Sequence, residues 1–304
     1  MVTSLHRCGR DASRKLSERN WKRTQRERRR DTRKQLLEPL EDRRLLTLAV
    51  WDGVPDAGGT SANANWQTAT NWVGDALPNP GDNLIFLAGP SVVNTVNDFP
   101  AGTGFGEIVM PGSGYTLGGN GVTLQSGINV RGNTNTLSLP ITLSAPQMIA
   151  GYGGLTLNGT LNQNGHALTF AGTGTTVNGE LTGAGGVVIQ GSGVVFARAN
   201  SYSGPTTISG QLSIRNGLAL GAADGTDATG TTLSGGTLRL DGAFTVGGEL
   251  LTGNGGFLSS TGNSGWGGDV NVVVNGDPTL QAATGTTFTI SGDIRGNGGV
   301  GVGG

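Results

Sequence analysis

The chain has one cysteine and two histidines in 304 residues; aromatic residues make up 5 % and charged residues 13 %. A single cysteine excludes an intrachain disulfide framework. Cysteine and histidine are too scarce for a structural zinc site, which takes about four nitrogen or sulfur ligands. The charged fraction is roughly half the ~25 % usual in globular domains. No apolar run approaches the ~18 residues of a membrane-spanning helix. Glycine stands against these shortages, with 57 residues where ~7 % of the chain is usual. It shows no period of three, which excludes collagen. The length suggests about two ordinary domains, a rule that an elongated repeat fold does not follow.

The net charge of −1 conceals two unlike polymers. Residues 1–46 carry 15 Lys and Arg against 7 Asp and Glu, a net +8, and the last lysine is Lys34. The remainder carries a net −9 and 56 of the 57 glycines. An arginine-rich leader neutralises phosphates or anionic lipid, or it is the charged start of a targeting segment. Nothing after residue 46 continues the positive field, so no nucleic-acid partner is expected. Cys8 follows Leu5-His6-Arg7 with no apolar stretch before it, which argues against a lipid-anchored cysteine.

The apolar run Leu45–Trp51 is at the lower limit for a conventional signal peptide. The residues before it are more telling. Leu37, Glu38, Pro39, Leu40, Glu41, Asp42, Arg43, Arg44, Leu45 and Leu46 resemble the LEPR-XLL family of bacterial N-terminal sorting signals. The resemblance implies recognition by export machinery and a mature protein that begins beyond the motif, near Leu46–Val50. Without it, the segment reads as an amphipathic helix with Arg43 and Arg44 in water. The leader is accordingly expected to be disordered or helical.

From residue 84 the chain is a string of short β-type runs, among them Leu84–Leu87, Val122–Gln125, Leu155–Leu157, Val187–Gln190, Leu212–Ile214, Leu238–Leu240, Val270–Val274 and Phe288–Ile290. Several alternate apolar with polar residues, and none sustains a 3.6 period. Asn-Gly begins at positions 120, 158, 164, 178, 216, 254, 275 and 297, where tight corners with positive φ are expected. An antiparallel sandwich or barrel and a parallel β-helix both use such runs. Repetition favours the β-helix: three Asn-Gly spacings are 38, the last two are 21 and 22, and all fit coils of 19–22 residues. Residues 172–189 also realign with 283–302, and 246–258 shares the second half.

Residues 191–240 contain Asn200, Ser201, Tyr202, Ser203, Gly204, Pro205, Thr206, Thr207 and Ile208, followed by Gly210, Gln211 and Leu212. This stretch resembles the autotransporter-associated β-strand repeat, also called the passenger-associated transport repeat. The family usually has a small residue where Pro205 stands. The resemblance implies an all-β, right-handed parallel β-helix displayed outside the cell, with Asn200, Tyr202, Gly204, Thr206, Thr207, Gly210 and Leu212 as the repeat motif. The organisation expected is a leader and sorting signal over 1–46, a Trp-rich opening segment over 47–83, and glycine-rich repeats over 84–304. In the opening segment, Trp51, Trp66 and Trp72 either stack on sugars or cover the open first coil.

Chemistry-bearing residues are sparse. His166 lies in a corner-like Asn-Gly-His, which reads as a solvated turn. No serine stands in a G-x-S-x-G elbow. Gly296–Gly301 matches G-x-G-x-x-G with no helix after it to bind pyrophosphate. The pairs Asp224/Asp227 and Asp269/Asp277 are where a polysaccharide-cleaving acid pair or a weak calcium ion would sit; both otherwise read as solvated loops. The expected protein is non-catalytic, exported and structural or adhesin-like, without metal or cofactor, and with a surface glycan or matrix component as partner. The alternative is a polysaccharide-binding or polysaccharide-cleaving β-helix. Gly292–Gly299 repeats the pattern of Gly179–Gly186 with five residues left after it, and no C-terminal strand set for a membrane barrel follows. The chain is therefore expected to break off before its fold is finished and to self-associate or fray from Thr279 onward.

Overall fold

Alternation decides which way each short run faces. In Leu155–Leu157, Thr175–Val177, Val187–Ile189 and Thr206–Ile208 the outer two side chains are buried and the middle one half-buried. That is the period of two of a strand with one wet face. The computed structural model describes residues 47–53, 63–273 and 277–303. The leader with its Leu37–Leu46 motif lies outside the described residues. Among these, 29 strands and one 3-10 turn, Ala69–Asn71, form the regular structure. The strands pair in parallel, coil on coil, so the fold is the all-β parallel β-helix expected.

Each coil has up to three sides. A broad side stacks strands from Leu48–Trp51 to Ile294–Gly296, and a second side stacks 11 strands from Asn94–Asn97 to Gly301–Gly303. At about 4.8 Å per step, eleven strands extend about 50 Å. The third side is interrupted. It holds Ile141–Leu143, Leu161–Asn162 and Leu181–Thr182, then resumes as Thr245–Val246, Ser264–Trp266 and Phe288–Ile290.

The core is a set of in-register ladders. On the second side Leu117, Leu137, Leu157, Val177, Phe196, Ile214 and Leu240 stack in succession. On the broad side Ile108, Ile128, Ile149, Phe170, Ile189, Ile208 and Leu233 do the same. All are fully buried, and each contributes about 1.5–3 kcal/mol. A narrow interior filled this way leaves little room for charged side chains, while aromatic residues such as Phe170 and Phe196 serve as rungs.

Coil length follows the expectation in the middle and departs from it elsewhere. Paired residues lie 19 positions apart at Val187 and Thr206 and 20 at Leu155 and Thr175. The separation grows to 25 at Thr206 and Thr231, because residues 215–230 form a long excursion. The first turn is longer still, with Leu48 paired to Asn83.

Two sequence expectations are corrected here. The realigned segments are not equivalent coils: Leu181 lies on the third side, whereas its counterpart Ile294 lies on the broad side. What repeats is one corner and one strand, a third of a coil. Nor do most Asn-Gly corners use positive φ. Gly165 and Gly255 have it, at 81° and 79°. A β-carbon at Gly159, Gly179 or Gly217 would instead overlap the backbone oxygen of Leu139, Gly159 or Thr245. Glycine there permits close stacking of coils.

The tryptophans close the first turn. Trp51, Trp66 and Trp72 are 0 % exposed, so none offers a face to a sugar. Trp51 meets Trp72 edge to face at 5.2 Å, and Trp66 lies 5.8 Å from Phe86 and 6.1 Å from Phe105. Each indole N–H has an acceptor: Val92 O for Trp51, Thr95 Oγ1 for Trp66 and Trp66 O for Trp72. Replacing Trp72 by phenylalanine keeps most of the apolar area and orphans the Trp66 carbonyl. A loss of about 1–2 kcal/mol is expected in urea unfolding; an unchanged midpoint would contradict this role.

Candidate functional site

The repeat motif is built into the stack. Asn200 is 7 % exposed; its Oδ1 accepts from Leu181 N at 2.9 Å and its Nδ2 donates to Ala219 O at 2.6 Å. One amide thus ties three successive coils where the third side loses its strands after Leu181–Thr182. Tyr202 is buried with its hydroxyl 2.6 Å from Thr206 Oγ1, and burial pushes the phenol pKa up. Leu212 lies in the inner ladder and Thr207 faces outward. Gly204 and Gly210 do not have positive φ; a β-carbon at either would overlap the backbone of Gly185 or Gly191. Apart from the outward hydroxyl of Thr207, these residues shape coils and present no chemistry to solvent.

The long excursion builds the site with most chemistry. Its tip and the next two coils line an open groove of about 370 Å³ bounded by Ala223, Asp224, Gly225, Gly248, Gly268 and Asp269. The Asp224 Oδ1 accepts from Thr229 Oγ1 at 2.6 Å, Thr226 Oγ1 at 2.7 Å and Thr226 N at 2.9 Å. The Thr229 and Thr226 hydrogen bonds hold this carboxyl below the usual carboxylate range. Asp269 accepts from Asp293 N and pairs with Arg295 at 3.3 Å. Asp227 is exposed, and Asp277 accepts from Gly299 N. Asp224 and Asp269 come to one groove, while Asp227 and Asp277 do not line it.

Beneath the groove lies an acid that the sequence reading missed. Glu249 is 1 % exposed. Its Oε1 accepts from Thr231 Oγ1 at 2.7 Å, while its buried Oε2 has no hydrogen-bond partner. Burial pushes its pKa up to about 7; the Thr231 hydrogen bond opposes this and the charge of Asp224 adds to it. In the Gly-Glu-Leu likeness, Glu249 corresponds to Glu180, which is half-buried and accepts from Ser201 Oγ. The extra Leu250 is the one available signal. It places Glu249 two residues before a broad-side strand instead of one before a third-side strand.

Two carboxyls with opposite shifts beside a groove are the raw material of acid–base chemistry. Here Glu249 points to Thr231 in the interior, and Asp224 holds its own loop. Carbohydrate hydroxyls can reach Asp224 and Asp269; Glu249 is closed to them. Among the described residues, no group of three or more His, Cys, Asp and Glu is placed to hold a metal ion. His166 follows the turn at Asn164-Gly165, and its N–H donates to Gln163 O. Gly296 and Gly301 lie in strands, with no helix to bind a phosphate.

Glu249 makes stability depend on pH. Its folded pKa lies above the ordinary 4.5, so the folded state holds the proton more tightly than the unfolded one. The associated stability is complete below about pH 4.5, declines as pH rises to about 7, and changes no further above that. The expected loss is about 3 kcal/mol. Urea unfolding at pH 4.5 and 8 should show it for the wild type and much less for Glu249→Gln; equal slopes for both would remove the assignment. No protein-family model matches the chain, and no curated protein or solved structure matches it.

Proposed function

We propose that this is an exported, non-catalytic β-helix protein with a structural or adhesin-like role at the bacterial cell surface or outside the cell. The observation that carries this reading is the commitment of Asn200, Tyr202, Gly204, Thr206 and Gly210 to coil stacking. They are the residues by which the chain resembles autotransporter-associated repeats, and they build a long scaffold with polar outer faces. In-register Thr116, Thr136, Thr156 and Thr176 form one such outward column. Hydroxyl columns suit contact with a surface glycan or matrix polymer. The Leu37–Leu46 resemblance to LEPR-XLL signals supports passage through export machinery.

Cell fractionation with N-terminal sequencing tests the proposal. Surface or secreted material beginning beyond Leu46 is expected. A folded cytoplasmic protein with intact Met1 would overturn it.

A second reading, binding or cleavage of polysaccharide, draws on the Asp224 and Asp269 groove. Purified protein incubated with a polysaccharide panel would release reducing ends, and Asp224→Asn with Asp269→Asn would abolish that release. Binding without release, lost in the same variants, would retain only the binding half. Self-association completes the proposal. Ile294 and Val302 are 52 % and 86 % exposed on outermost strands, and unpaired edges recruit further strands. Concentration-dependent light scattering of the 304-residue polypeptide is the expected sign.

A further inference from the structure

The first half of the excursion over residues 215–230 is held by Asn200 and Tyr202 of the preceding coil and by Asp241 and Thr245, whereas its tip and return rest on one short segment of the next coil. At its tip, a β-carbon on Gly225 would come within 3.8 Å of Gly248 O, and one on Gly248 within 3.6 Å of Ala223 O. At its return, Thr231 N donates to Leu250 O at 2.9 Å. Between these supports, Glu249 turns inward and accepts from Thr231, the first residue of the strand that the excursion joins. Tip, return and buried acid therefore share residues 248–250.

We propose that Glu249 is a proton-controlled latch, holding the 215–230 excursion on its neighbouring coil when protonated and loosening it when ionised. The groups around Glu249 leave an ionised form without a counter-charge. Asp224 faces it from the excursion and carries like charge. Tyr202 lies on the interior side with its hydroxyl engaged by Thr206. Asp269 on the next coil is paired with Arg295, which also binds Asp293. Arg215 and Arg239 are both engaged by Asp241. A buried carboxylate with one donor and no cation takes up water or moves outward. Either displaces residues 248–250 and removes the support of the tip and return of the excursion. Loosening it also widens the groove whose wall is Ala223, Asp224 and Gly225.

Hydrogen–deuterium exchange on the full chain at pH 5 and pH 8, corrected for intrinsic exchange rates, tests the latch. Local opening gains about tenfold per pH unit between the open and closed pKa values, so protection over residues 223–234 and 246–252 should fall by about 100-fold between pH 5 and 8. Peptides spanning residues 155–177 should lose less protection than the excursion, and no more than the fall in global stability allows. Glu249→Gln should make protection of the excursion independent of pH. Asp224→Asn, which removes the like charge and leaves Glu249 in place, lowers the closed-state pKa of Glu249, so the loss of protection should be smaller and complete at a lower pH; this arm stands even where Glu249→Gln does not fold. Unchanged protection of the excursion at pH 8, an equal loss in Glu249→Gln, or a loss in the excursion no greater than that over residues 155–177 would each overturn the proposal.

Discussion

Gly210→Val should lower the unfolding free energy by at least about 3 kcal/mol or prevent folding altogether, whereas Gly165→Ala should cost only about 1–2 kcal/mol. Gly165 has φ 81° and open space around its missing β-carbon, so alanine there meets backbone strain alone. Gly210 has no such strain. A β-carbon on it would overlap Gly191 O and the Gln190 carbonyl carbon, both backbone atoms of the preceding coil. That backbone cannot move away freely: Gly210 N donates to Ile189 O at 2.9 Å and Gln211 N to Gly191 O at 2.8 Å. Admitting a side chain means lengthening these bonds and lifting the coils on either side. Urea unfolding of both variants beside the wild type distinguishes the two kinds of glycine. A Gly210→Val protein within about 0.5 kcal/mol of the wild type would show that the stack can open at this corner.

The contrast explains which features were legible in the sequence. Val187–Ile189 and Phe288–Ile290 are strands because β-branched and aromatic residues fill short runs with glycine within three residues on either side, which is local information. The requirement at Gly179 or Gly210 is set by a backbone oxygen about one coil away in sequence, and composition alone cannot separate it from a positive-φ corner. The likeness of residues 172–189 to 283–302 misleads for a related reason. Three sides of similar length make a corner and its strand look alike wherever they lie. The tryptophans show a mixed case: their concentration before residue 83 marks an end of the stack, while only the packing shows all three buried.

The site was partly legible. Asp224 and Asp269 stand out because acids are rare in this chain, and both line the groove. Glu249 is hidden by its likeness to Glu180, since one added leucine moves it from a wet corner to the interior. The excursion at 215–230 also appears only when Thr206 is found paired to Thr231.

Asn200→Ala carries the other large expected effect, about 3–5 kcal/mol. Leu181 and Ala219 are both 0 % exposed, so removing the amide leaves the Leu181 N–H and the Ala219 carbonyl without their partner and away from water. Each orphaned group costs about 1–3 kcal/mol, and the space left by the side chain adds a cavity term. The neighbouring backbone bonds, Asn200 N to Leu218 O and Ser201 N to Leu181 O, hold the coil but cannot supply both missing ones. Asn200→Asp separates the two halves of the role. An ionised aspartate still accepts from Leu181 N, but it cannot donate to Ala219 O. Its burial raises the carboxyl pKa, so the variant should be as weak as alanine near pH 8 and regain stability on acidification, when the protonated oxygen can donate. Unfolding of the wild type, Asn200→Ala and Asn200→Asp across pH 5–8 should therefore show a recovery in acid for Asn200→Asp that exceeds the gain shared with the other two through Glu249. An alanine variant within about 1 kcal/mol of the wild type would mean that the resemblance-bearing asparagine is dispensable to the stack, and its occurrence in the motif would then need a partner outside the coil.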